Sequence, residues 1–125
     1  MRFTWRTHQR EGVAVVSCTG DVDGEMPAGF RQASLAAAAA TGDRLVVDLT
    51  GVSYLQSTGV GQVAGMAGTL QHRGGALAIA CPPGDLARLL KLSGLGDFLH
   101  VRDNVEAAVA AVNGVRRAPP RRGLT

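Results

Sequence analysis

Aromatic side chains are scarce in this 125-residue chain: three Phe, one Trp and one Tyr, 4% of the sequence. That excludes broad stacking surfaces for bases or sugars, and it leaves the core to Val, Leu, Ile, Met and Ala, packed closely where the 17 glycines allow. Cysteine is nearly absent. Cys18 and Cys81 form no CxxC and lie far apart, so neither a disulfide scaffold nor a zinc knuckle is signalled; both read as small buried hydrophobes in a reducing cytoplasm. His8, His72 and His100 are scattered singly at no metal-ligand spacing. No metal, no cofactor and no catalytic triad are expected. GxxxxGK[ST] and GxSxG are both missing.

Long apolar runs are missing too. Leu49 to Gln71 is uncharged for 23 residues, but only 10 of these are apolar, so no membrane span is expected. Met1 to Gly12 has three arginines and no apolar h-region, and does not read as a secretory signal. Lysine is almost lacking: twelve of the thirteen basic residues are Arg, which with abundant Ala and Gly fits a GC-rich bacterial genome. The net charge of +3 belongs largely to Arg116, Arg117, Arg121 and Arg122, set beside Pro119 and Pro120. Without those four, nine basic residues face ten acidic ones, so no direct DNA binding is expected. Residues 1–113 read as one domain and 114–125 as a flexible Arg/Pro-rich tail.

What is present is alternation of element types. Phe3–Thr7 and Val13–Thr19 predict an opening strand pair around the turn Gln9–Gly12. Asp23 is placed to accept from N–H groups at the start of a first helix, with Pro27 in its first turn and Phe30–Ala40 as its body. Leu45–Leu49 predicts a strand buried on both faces, and Thr58–Arg73 a helix. Gly61, Gly65 and Gly68 form a smooth stripe on that helix, expected to pack closely inside the fold. Strand Ala76–Cys81, helix Leu86–Ser93, strand Phe98–Val101 and helix Val105–Val112 follow, the last opened by an Asp103/Glu106 capping box. The order β-β-α-β-α-β-α-β-α predicts an α/β domain with a mixed, mostly parallel sheet of about five strands and about four helices.

Gly59, Gly61 and Gly65 nearly spell a dinucleotide fingerprint, yet Thr50 to Thr58 separate them from the strand and Cys81 stands where an acidic residue is needed. The informative segment is Gln56-Ser57-Thr58-Gly59-Val60-Gly61, at a helix mouth beyond the carboxyl end of a buried strand. Ser57 or Thr58 is the natural N-cap there. The same place suits a phosphoserine, because free N–H groups and the helix dipole stabilise an added dianion.

LVVDLTGVSYLQSTGVG, then GGALAIACPP, LLKLSGLGDFLHV and an acid-started terminal helix, resemble in that order a STAS domain of the anti-sigma factor antagonist type. Gly20-Asp21-Val22-Asp23 resembles that family's G-x-L-D turn, and the matches span Val13 to Val112. The resemblance implies a cytoplasmic switch without catalysis of its own. Unphosphorylated, such a protein binds an anti-sigma factor that is also a serine kinase and releases a sigma factor; phosphorylation breaks the pairing and a serine phosphatase restores it. The phosphoacceptor falls on Ser57, with Thr58 as the next hydroxyl; Asp23, Gln56, Ser57, Thr58, Gly59 and Val60 fall on the partner-binding positions, Asp23 being either partner-facing or, by the stronger reading, turn-fixing. Gln56 departs from the family's usual Asp, which loses a carboxylate. The alternative is a constitutive STAS scaffold or subunit, in a stress-signalling or lipid-transport assembly, in which Ser57 only caps its helix.

Overall fold

The computed structural model describes residues 2–92 and 96–115. Five strands form one sheet in sequence order: β1 (Thr4–Arg10), β2 (Val13–Thr19), β3 (Arg44–Gly51), β4 (Ala76–Ala80) and β5 (Val101–Arg102). β1 pairs antiparallel with β2, while β2–β3, β3–β4 and β4–β5 are parallel. The parallel pairs are joined by α1 (Phe30–Ala39), α2 (Ser57–His72), and α3 (Asp85–Leu90) with the four-residue turn α4 (Gly96–Leu99); α5 (Val105–Gly114) closes the described chain.

Strand periodicity sorts the core into two layers. Ala14, Val16, Leu45, Val47, Leu77 and Ile79 face α1, α2 and the α3–α4 segment. Val13, Val15, Val46, Ala76, Ala78 and Ala80 face α5, which meets them with Ala108, Val109 and Val112. Small side chains on both sides let α5 approach the sheet closely. β4 is buried at all five positions, as expected of a strand covered on both faces. Trp5 on β1 and Phe3 just before it meet Phe30 at the start of α1 edge-on, with ring centroids 5.5 and 5.8 Å away, and fix the edge strand to the helix layer.

The element order matches the sequence reading except for the added α4 turn before β5, and several local assignments differ. Asp23 does not cap α1. Its N-cap is Gly29, left-handed at φ 88° with no side-chain bond, and α1 begins directly at Phe30. Phe98 and Leu99, β-prone by composition, lie in the α4 turn, and the last strand is only Val101–Arg102. Asn104, not Asp103, caps α5, its Oδ1 accepting from Ala107 N–H at 2.8 Å. The third helix ends at Leu90; Ser93, in its expected last position, lies outside the described residues, as does the tail from Arg116. Of the glycine stripe only Gly68 turns inward, half-buried, where a methyl would stand 4.0 Å from the Phe98 ring. A methyl at Gly61 or Gly65 would meet open space, and both residues are exposed.

Candidate functional site

Parallel pairing places the carboxyl ends of β2, β3 and β4 together, and the loops leaving β2 and β3 run side by side. Gly20 N–H donates to Gly51 O (3.0 Å), Val22 N–H to Tyr54 O (3.1 Å) and Gln56 N–H to Val22 O (3.1 Å). Val22 and Leu55 thus form a single parallel bridge beyond the sheet, and both side chains are buried. Gly20 is required here: at φ +98° its backbone is left-handed, and a methyl group would strike the backbone of Arg2 and Phe3. Ser53 Oγ donates to Asp21 Oδ1 (2.8 Å), and Met26 N–H donates to Gln62 Oε1 (2.6 Å), clamping the first loop to α2. The Ser53 hydroxyl is the main reason the Asp21 carboxyl is held below its ordinary pKa.

The two sequence segments singled out as a site are therefore brought together. Asp23 is exposed in the first loop, and the neighbouring Gly24 stands beside Gln56, whose Oε1 would lie 4.0 Å from a methyl group there. Gln56 is the N-cap of α2, extended at φ −69° and ψ 156°, with no side-chain cap bond. Ser57 and Thr58 do not take the cap role expected of them. They are the first two helical residues, both exposed, and neither hydroxyl has a bonding partner among the described residues. The helical ladder opens with Val60 N–H donating to Gln56 O (3.1 Å). Since the Gln56 N–H is taken by Val22, the N–H groups of Ser57, Thr58 and Gly59 have no acceptor among the described residues at the positive end of a 16-residue helix. No acidic residue occupies the first turn. Acidic charge stands instead in the adjoining loop, at Asp21, Asp23 and Glu25.

Gly59 and Val60 are buried. Val60 belongs to the core, and a methyl at Gly59 would come within 2.7 Å of Leu55 Cδ1. The surface of the site is thus Asp23, Gln56, Ser57 and Thr58, with Gly59 and Val60 seating the helix beneath. Sequence reasoning missed Gln62 and the Asp21–Ser53 tie, which join residues 36 and 32 positions apart and leave no local signal. Cys18 and Cys81 are both buried and free, as expected; burial, with the Asp48 charge adding to it, pushes the Cys18 thiol up to about 12. Among the described residues no helix is long and apolar enough to cross a membrane, and no group of His, Cys, Asp or Glu is arranged to hold a metal.

The STAS domain family model matches residues 4–108. Anti-sigma-B factor antagonists from Listeria monocytogenes and Listeria innocua are each 36% identical over 69 residues, 55% of this chain and 60% of theirs. The alignment thus spans less than two thirds of those relatives. The crystal structure of an anti-sigma factor antagonist from Mycobacterium paratuberculosis superposes with a TM-score of 0.77 at 26% identity, covering 90% of this chain and 95% of the other. SpoIIAA in its unphosphorylated form shares the fold, with a TM-score of 0.62 at 20% identity over 90% of this chain and all of that one.

Proposed function

From the premise that this chain belongs to the STAS domain family, we propose that it is an anti-sigma factor antagonist, switched at Ser57. Unphosphorylated, it binds an anti-sigma factor serine kinase in the cytoplasm through the surface made by Asp23, Gln56, Ser57 and Thr58, and a sigma factor is released. Phosphorylation of Ser57 ends the pairing, and a serine phosphatase restores it. The protein itself catalyses nothing in this cycle.

The observation that carries the reading is the state of Ser57: exposed, first in its helix, and with a hydroxyl bonded to none of the described residues. A hydroxyl with no packing or capping task is free to be modified, and the three N–H groups beside it, without an acceptor among the described residues, favour an added dianion on the folded protein. A phosphate brings a charge of about −1.5 to −2. Set next to the acidic loop carrying Asp23 and Glu25, it would turn this surface strongly negative and repel or desolvate a partner fitted to the neutral hydroxyl. Ser57→Asp should weaken binding to the cognate anti-sigma factor at least tenfold while leaving the fold intact. Unchanged affinity would overturn the switch.

One residue favours a second reading. Gln56 removes the acidic group that usually precedes the acceptor, which fits a constitutive scaffold that is never phosphorylated. That reading gave Ser57 a capping task, and the uncapped geometry of Gln56 and Ser57 offers it no support.

A further inference from the structure

We propose that the free edge of β1 is a docking rail for an acidic, extended segment of a partner protein, added as a sixth strand and selected by Arg6, His8 and Arg10. β1 ends the sheet and pairs with β2 alone. Half of its backbone N–H and C=O groups therefore point away from the sheet, and none of these outward groups over Thr4–Arg10 has a partner among the described residues. Edges closed against pairing are short, bulged, interrupted by proline or charged, and a charged edge turns away like-charged or neutral strands rather than an oppositely charged one. β1 is seven residues long, has no proline, and keeps one continuous register with β2.

The charges on this edge are sorted. Arg6, His8 and Arg10 stand opposite Ser17, Val15 and Val13, so all three project from the sheet face that carries α5. They are exposed and recur every second residue, about 6.8 Å apart, the repeat at which an added strand presents its own alternate side chains. The opposite face of β1 carries no charge: Phe3 and Trp5 pack there against Phe30, with Thr7 and Gln9 following. Little of the cationic row is neutralised. Arg10 reaches Glu106 only at 3.8 Å between two exposed side chains, and Arg6 has no partner among the described residues.

Charge decides the occupant. A second copy pairing through β1 would set arginine against arginine, and like charges opposed across a ladder are destabilising. A nucleic-acid strand needs aromatic platforms on the cationic face, whereas Phe3 and Trp5 are spent on the other one. A strand with Asp or Glu at alternate positions satisfies the open backbone groups and the basic row together. The basic row projects from the sheet face opposite α2, and the inference stands apart from the switch.

The test titrates the full chain at low salt with a blocked seven-residue peptide alternating Glu and Thr, followed by backbone amide NMR and by the fluorescence of Trp5, the sole tryptophan. The expected result is a set of shifts confined to β1 and its turn, slowed exchange of the outward β1 amides, and at least a tenfold loss of affinity in the Arg6→Glu, Arg10→Glu double variant. A Lys/Thr peptide of the same length should fail on the unaltered chain, which keeps the test valid if the variant does not fold. The proposal is overturned by undisturbed β1 amides, by equal binding of a peptide with its glutamates in one block, by tighter binding of a single-stranded oligonucleotide, or by β1-mediated self-association.

Discussion

Replacing Ser57 with Ala separates a structural serine from a chemical one, with Asn104→Ala as the internal standard. Asn104 caps α5 through a 2.8 Å bond from Ala107 N–H to its side chain, and losing such a cap costs about 1 kcal/mol. For a domain of this size that is a drop of about 3–5 °C in Tm, or, at a slope of about 2 kcal/mol per molar urea, a midpoint lowered by about 0.5 M. Ser57 has nothing comparable to lose. It follows the cap residue Gln56, is exposed, and its hydroxyl neither donates to nor accepts from a described residue. Its replacement should therefore stay within about 0.5 kcal/mol of the parent, the range of surface substitutions made away from such features. Urea unfolding of the three proteins, followed by circular dichroism with a common slope, measures both differences. A loss at Ser57→Ala equal to that at Asn104→Ala would refute the geometry and return the serine to a capping role.

Three other outcomes are expected. Ser34 is fully buried in α1 with no partner for its hydroxyl among the described residues, so Ser34→Ala should be neutral or stabilising by about 1 kcal/mol in the same assay. Cys18 and Cys81 are both buried, and the Cys18 thiol is pushed up to about 12, so neither should react with a thiol reagent at pH 8 until urea unfolds the chain. The Asp21 carboxyl is held below its ordinary value of 3.8, first by the Ser53 hydroxyl. A depressed carboxyl supports the fold above its unfolded pKa, and that support fades as pH falls through the folded value; carboxyl NMR should show the titration point rising towards the ordinary value in Ser53→Ala.

The parts of the fold legible in the sequence are those whose signal is local and redundant. β3 and β4 are short apolar runs bounded by turns, and α2 repeats its buried residues at helical spacing over four turns. Where two local rules compete, tertiary structure decides. Phe98 and Leu99 have strand composition, yet they complete the α4 turn, with Leu99 driven into the core. The cap expected at Asp103 falls one residue later on Asn104, and the one expected at Ser57 or Thr58 falls on Gln56, whose N–H is already engaged by the β2–α1 loop. That loop also explains why half of the site was invisible beforehand. Asp21 to Ser53 and Met26 to Gln62 are contacts between distant segments, and no spacing rule in either segment announces them. The outward glycines Gly61 and Gly65 were misplaced for the same reason: a period of three or four finds a helix face without saying which way it points.

The central claim is that Ser57 is a phosphoacceptor on a folded binding domain. It is tested most directly by incubating the purified chain with ATP and each candidate serine kinase of the anti-sigma type from its own genome, then reading the intact mass and mapping the site. One added phosphate on Ser57, absent from Ser57→Ala, is the predicted result. Stable complex formation with one of those kinases and no phosphate on Ser57 would contradict it and leave the scaffold reading favoured by Gln56.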